Sequence, residues 1–293
     1  MNKEKGIQQY PADSLKIIND GLSKKTFNSK LPVGKTEDIL LESRQKKVIS
    51  KVTFINCTSD EVEFTEFDRA VLDVCISEQA KGNEYTTPRI IFHQLGGGHR
   101  LTDNMKNAIM ESIEKLASVR ILIDMEEAVS KNLCQSKNGK STFKGYLLPT
   151  ESLETTINGQ NVTAIRFLSK GIIYGVADRK NQIITCPQNL LTPPVRATPR
   201  TVAINHHLLR RSLEIKGSRD VAQKNKRVQP MCKIITLQDM CEKCGIDFEN
   251  KRARQQARDT ATAILNFFVD NGIIKNFHFE HKNGKIYSIV LEV

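Results

Sequence analysis

Cys241 and Cys244 have the most metal-like spacing in this chain, since a Cys-x-x-Cys pair can offer two thiolates to zinc or form a redox couple. Their neighbours argue otherwise. Leu237, Met240, Cys241 and Cys244 recur at i, i+3, i+4 and i+7, the spacing of a buried helix face. A second ligand pair is missing, because His278 and His281 stand three apart on an expected strand and leave it on opposite faces. Core thiols are therefore expected, with no metal and no cofactor. Cys57, Cys75, Cys134, Cys186 and Cys232 are scattered, as reduced thiols of a cytoplasmic protein would be. Gly34-Lys35-Thr36 matches the end of a phosphate-binding loop, but Ser29 stands where the first glycine belongs and no apolar strand precedes it. DNA nicking by a tyrosine with a metal calls for a His-apolar-His pair, whereas His206-His207 are adjacent. Gly96-Gly97-Gly98 reads as a helix stop and lacks the dinucleotide fingerprint. The expectation is a protein without catalysis.

A different chemistry is written near the C-terminus. Lys251, Arg252, Arg254, Gln255 and Arg258 fall in the first two turns of a helix expected from Asn250 to Asn271 and ended by Gly272. Positive charge is unfavourable at that end of a helix, where the dipole is itself positive. Stability alone would place these cations at the other end, so a polyanion is the better explanation. The elements that must position them are equally legible. Thr236-Leu237-Gln238-Asp239 starts a short helix that closes at Gly245. After the long helix come two β-runs, Ile273–His281 and Lys285–Val293, around Asn283-Gly284, a strong hairpin signal. Helix, turn, helix and two-stranded wing is the order of a winged helix, whose second helix enters the major groove. Lys282 and Lys285 flank the wing turn and join the candidate DNA contacts.

Charge agrees with this. The chain of 293 residues carries a net +11, the footprint of a polyanion binder. From Arg196 to Arg258 there are 15 Lys and Arg against 6 Asp and Glu, so most of the excess sits in about a fifth of the sequence. No stretch approaches the roughly 18 apolar residues of a membrane span, and Met1-Asn2-Lys3-Glu4-Lys5 opens no signal peptide. A cytoplasmic protein with no membrane partner is expected.

Upstream, a similar order is expected once more. A strand at Val48–Ile55 leads to a capping box at Thr65-Glu66-Phe67-Asp68 and a helix running to Gly82. Thr87-Pro88 starts a second helix, and Thr102-Asp103 caps a third, about Asp103 to Ser118, with Met105, Ile109, Ile113 and Leu116 inward. Strands Arg120–Met125 and Thr142–Leu148, around Asn138-Gly139, are read as its wing, and Leu153–Ile157 with Val162–Phe167 as a further hairpin turning at Asn158-Gly159. The third helix shows Asn104, Lys106 and Asn107 outward, but also Glu111 and Glu114, which makes it a weaker base reader. The fold class is thus α+β, with two winged-helix domains (helix-turn-helix plus β-wing) in tandem. Residues 1–46 are expected as a polar, partly disordered extension, 47–174 as the first domain, 175–198 as a proline-containing linker and 199–293 as the second domain. Thr201–Lys216 is expected helical, with Ile204, Leu208, Leu209 and Leu213 inward and Arg210 and Arg211 exposed to DNA. Lys224–Arg227 is expected as a loop within phosphate reach.

Three segments carry a resemblance: Phe64-Thr65-Glu66-Phe67-Asp68-Arg69-Ala70-Val71, the stretch from Gln182 through Leu191, and Ala203-Ile204-Asn205-His206-His207-Leu208-Leu209-Arg210-Arg211. Over about residues 47 to 293 the chain resembles the tandem winged-helix Rep-type initiators of plasmid replication. That resemblance implies binding to repeated origin sequences (iterons), DNA opening and recruitment of host replication proteins. It implies base reading by the second domain, at Lys251, Arg252, Arg254, Gln255 and Arg258, and a homodimer through the first domain. A winged-helix transcriptional regulator or autorepressor without initiation activity is the alternative. An adaptor that uses its wings for protein contacts is a further one, and it predicts no salt-dependent DNA affinity.

Overall fold

A computed structural model describes residues 14–293 other than 19–20, 28–29, 35, 44–45, 57–60, 99, 125–141, 158–159, 180–182, 226–228 and 283–284. The turns expected at Asn138-Gly139, Asn158-Gly159 and Asn283-Gly284 lie outside the described residues, as do Ser29, Lys35, Cys57, Cys134, Lys226 and Arg227. The chain begins with β1 (Ser14–Ile18), α1 (Gly21–Thr26), β2 (Lys30–Pro32), β3 (Thr36–Ser43), β4 (Lys46–Asn56) and β5 (Glu61–Glu63). Next come α2 (Glu66–Ala80), β6 (Tyr85–Thr86), α3 (Pro88–Gln94), α4 (Asp103–Ser118), β7 (Val119–Asp124), β8 (Thr142–Tyr146), β9 (Thr150–Ile157) and β10 (Gln160–Phe167). Then follow α5 (Ile172–Arg179), β11 (Ile183–Pro187), α6 (Pro199–Lys224), β12 (Ile234–Thr236), α7 (Leu237–Lys243), α8 (Lys251–Asp270), β13 (Asn276–Lys282) and β14 (Lys285–Glu292). The fold is a mixture of helices and antiparallel sheets. Among the described residues no helix is long and apolar enough to cross a membrane.

Helix starts fall where the hydroxyl and amide side chains allow. The Thr65 hydroxyl accepts from the Asp68 N–H while the Asp68 carboxylate accepts from the Thr65 N–H at 2.8 Å, a reciprocal cap that satisfies two otherwise orphan donors. Thr87, Thr102, Thr198 and Thr236 cap α3, α4, α6 and α7 in the same way through the N–H three residues on. Helix α3 ends at Gly96, whose φ of +83° suits glycine. A Cβ at Gly96 would also collide with the carbonyl oxygen of Leu191, so this turn packs directly on the chain leading to α6.

One element order occurs twice. Helix α2, strand β6, helices α3 and α4 and hairpin β9–β10 in the first half match α6, β12, α7, α8 and β13–β14 in the second. In each, the short strand between helices pairs with the hairpin's second strand, giving sheet orders β6-β10-β9 and β12-β14-β13. The wing expected at β7 and β8 is therefore displaced. These strands join β3 and β4 in a separate four-stranded sheet, β3-β4-β7-β8. The alternation of buried and half-buried residues along Val119–Asp124 suits either partner, so only long-range pairing decides.

Two further boundaries differ from expectation. Residues 14–43 are no polar extension: Leu15, Ile17, Ile18, Leu22 and Phe27 are buried in the main core. Strand β1 lies along α2, where the Lys16 and Ile18 N–H groups donate to Ser77 Oγ (2.7 Å) and Asp73 Oδ1 (3.3 Å). Residues 175–198 do not simply traverse either. Strand β11 pairs antiparallel with β1 from Ile18↔Ile183 to Ser14↔Pro187, and a turn of 3₁₀ helix, Gln188–Leu191, buries Leu190 and Leu191. Prolines at 187, 193 and 194 keep helix out of this stretch and Pro199 opens α6 at its first position, yet apolar residues between them anchor the segment. One hydrophobic cluster accordingly runs through both halves.

Candidate nucleic-acid interface

Helix α8 is set by its inward stripe, with Ala257, Ala261, Ile264, Leu265 and Phe268 fully buried at helical spacing. The Asn250 side chain accepts from the N–H groups of Arg252 and Ala253, both at 3.0 Å. No acidic residue occupies the first turn. Lys251, Arg252, Gln255 and Gln256 are exposed, and these four turn one polar, cationic patch outward at the N-terminal end. Helix N-terminal residues are the ones that reach base edges in helix-turn-helix docking.

The other two expected contacts on α8 are engaged within the protein. Arg254 is half-buried and donates to the carbonyl of Phe248 at 2.8 Å, with its guanidinium 5.1 Å from the Phe248 ring. It fastens the turn before α8, where cation–π contact and hydrogen bond act together. Arg258 is half-buried beside Asp259, at 3.5 Å, and Gln255 Nε2 donates to the same carboxylate at 2.8 Å. Asp259 thus holds Gln255 and Arg258 on one face, as an acceptor that a phosphate or base could replace. Lys282 and Lys285 are backbone register partners at the end of the β13–β14 pairing.

In the first half, Asn104 and Asn107 on α4 are exposed and Lys106 is half-buried. Asp103 lies in the first turn, and Glu111 and Glu114 are exposed farther along. This surface is polar and lacks the cationic patch of α8.

Arg210 and Arg211 overturn their expectation. Arg210 is 4% exposed and donates to both Glu66 and Glu214, the latter at 2.9 Å. Arg211 is largely buried too and donates to the other oxygen of Glu214 at 2.9 Å. Helix α6 packs on α2, and the face that looked solvent-directed instead meets the charged side of α2. There, His206 donates Nδ1–H to Glu66 at 3.1 Å and Nε2–H to Asp73 at 2.9 Å. Carboxylates only accept, so two such partners call for a doubly protonated ring. Burial alone would lower the His206 pKa, but the hydrogen bonds and charges of Asp73 and Glu66 outweigh it and raise the value above 6.5. Burial likewise acts to raise Glu66, yet Arg210, the two histidines and Arg69 hold its carboxyl well below the usual range. His207 is the contrary case: burial dominates, lowers its pKa and favours the neutral ring.

No single sequence feature announced this cluster. A signal was nonetheless present: Glu66, Arg69 and Asp73 share one face of α2, and His206, Arg210 and Glu214 share one face of α6. The cysteine reading holds for placement, since Cys241 and Cys244 are buried in the core. Burial pushes the Cys241 thiol up to about 11 and the Cys244 thiol well above its ordinary value, so both favour the neutral form. Among the described residues no group of three or more His, Cys, Asp or Glu side chains could hold a metal ion.

No protein-family profile matches this chain, and no curated protein matches it at a significant level. Among solved structures it is similar to the crystal structure of the RctB domains 2-3, at 9% identity and a TM-score of 0.44, covering 92% of this chain and 96% of that one. A crystal structure of selenomethionine derivatives of domains 2 and 3 of RctB matches at 8% identity and a TM-score of 0.40, covering 94% and 99%.

Proposed function

We propose that this chain is a sequence-specific double-stranded DNA-binding protein that acts as a replication initiator on repeated origin sequences, through two winged helices in tandem. The observation that carries the DNA reading is the exposed patch of Lys251, Arg252, Gln255 and Gln256 at the start of α8. It stands on a helix preceded by a short capped helix and followed by a hairpin, the arrangement that puts a helix end into the major groove. The net charge of +11 supplies the non-specific attraction. The initiator reading rests on the resemblance of residues 47 to 293 to Rep-type proteins, and it brings host replication proteins and self-association through the first half as partners. No catalytic step is assigned to the protein.

The test is footprinting of the full chain on the DNA that flanks its own gene, repeated over a range of salt. An initiator protects several direct repeats beside an AT-rich tract, with affinity falling linearly in log salt. A single protected palindrome turns the reading toward an autorepressor. Absence of salt-dependent binding removes the DNA function altogether.

A further inference from the structure

A cavity of about 480 Å³ opens where α1, α2, α6, α7 and β12 meet, away from the exposed patch of α8. Its wall carries five cationic side chains, Lys24, Arg69, Arg210, Arg211 and Lys243, against two carboxylates, Glu214 and Asp239. Glu214 is shared by three of the cations: Arg210 and Arg211 at 2.9 Å and Lys24 at 3.8 Å. Lys243 pairs with Asp239 at 3.0 Å. Arg69 reaches a carboxylate only at 3.9 Å, on Glu66, and spends its Nη2 on the Ile18 carbonyl and Ser23 Oγ. Arg69 and Arg210 are only 2% and 4% exposed, and the Nε of each has no acceptor among the described residues. Those two Nε atoms are closed off from the cavity too, so Arg69 and Arg210 act behind the wall as fixed positive charge, while Lys24, Lys243 and Arg211, with side chains 44%, 24% and 18% exposed, are the cations that an entering anion can meet.

We infer that this cavity binds a small phosphorylated anion of nucleotide size. Arginine forks suit phosphate oxygens, which can accept from several donors at once. The remaining wall is apolar, with Phe27, Met231 and Ile234, and gives an attached organic group a surface to cover. The volume lies within the range of ordinary small-molecule sites. Because the wall is drawn from both halves of the chain, the ligand fastens α2 to α6 and stabilises their junction. The inference does not rest on DNA binding.

The experiment is calorimetric titration and thermal unfolding of the full chain without DNA, at constant ionic strength, with inorganic pyrophosphate, ADP, adenosine and sulfate. Pyrophosphate and ADP are expected to bind saturably with Kd below about 1 mM and to raise Tm, while adenosine does neither. Tighter binding of ADP identifies a nucleotide as the source, and tighter pyrophosphate an inorganic one. Lys24→Gln and Lys243→Gln change side chains at the cavity rim, so the fold survives, and together they should weaken binding about tenfold. No saturable binding of either phosphate compound overturns the inference. So does stabilisation equal to that of sulfate and unchanged in the double variant.

Discussion

From Glu66 to Phe167, and again from Pro199 to Glu292, the chain runs through helix, short strand, short helix, longer helix and hairpin. The first half carries an additional pair of strands, β7 and β8, between its longer helix and its hairpin. A greater difference lies in where each half puts charge. Helix α8 opens with Lys251 and Arg252 in solvent and no acid in its first turn, while α4 opens with Asp103 and exposes Glu111 and Glu114. The inner helices reverse the usual rule in both halves, because α2 and α6 bury ionised groups against each other. The same arrangement of elements can therefore be specified by caps and apolar stripes while the charge pattern is free to assign different tasks. In this molecule the second half exposes the cationic patch of α8, and the junction draws its charges from both halves, on α2 and α6.

The largest expected effect tests whether Arg210 belongs to that junction or to a DNA surface. Replacing it by alanine leaves Glu66 and Glu214 short of their main buried partner and should cost roughly 3–5 kcal/mol in urea unfolding. The salt slope of DNA binding should stay the same at temperatures where the variant is folded. A stable variant with a reduced slope would return Arg210 to the DNA-facing side of the comparison.

Acid should act on the same cluster. Glu66 and Glu214 have folded pKa values below 4.5, so their contribution to stability is complete above that value and is lost as pH falls through the lowered values. His206, raised above 6.5, contributes fully below 6.5 and loses its contribution as pH climbs through its folded value. His207, lowered by burial, opposes it by favouring unfolding as pH drops below 6.5. Urea midpoints across pH should thus decline steeply on the acid side. Glu66→Gln should flatten that limb, and an unchanged limb would mean that other carboxylates dominate it.

Base reading separates the halves more finely. Arg252→Ala or Gln255→Ala is expected to cost about 1–3 kcal/mol at the cognate site, with little loss on random DNA. Asn104→Ala and Asn107→Ala, at the corresponding end of α4, should each cost under about 0.5 kcal/mol, which is usual for exposed side chains outside an interface. Equal losses for the two helices in a competition assay would erase the proposed division of labour. The Arg254→Ala variant belongs apart, since its effect should show in stability through the turn at Phe248.

The smallest effect concerns metal. Neutral, buried thiols at Cys241 and Cys244 make poor ligands, so chelation should shift Tm by less than about 1 °C and leave DNA binding intact. One tightly held zinc per chain in elemental analysis would overturn that assignment.

Local chemistry was written plainly enough to read. Threonines at 65, 87, 102 and 236 and Asn250 start helices because a side-chain oxygen there satisfies an N–H that the helix cannot, and the positive-φ glycines at 82, 96, 245 and 272 follow helix ends. The apolar stripe of α8 likewise fixes which side faces out and leaves Lys251 and Arg252 exposed, whereas Arg254 and Arg258 are held by Phe248 and Asp259, which the stripe does not reveal. Partners distant in sequence were another matter. Strands β7 and β8 could serve as a wing or as part of another sheet, and only β3 and β4 beside them decide. Residues 14–43 and 183–191 looked like extension and linker because each is too short to bury itself, and they gain a core from partners outside their own span: each other, α2, strands β4 and β5 and the turn at Gly96. Arg210 shows the limit most clearly. A polar helix face is written identically whether it meets water or another polar face, and it took the packing of α6 on α2 to turn an apparent DNA contact into a buried ion pair.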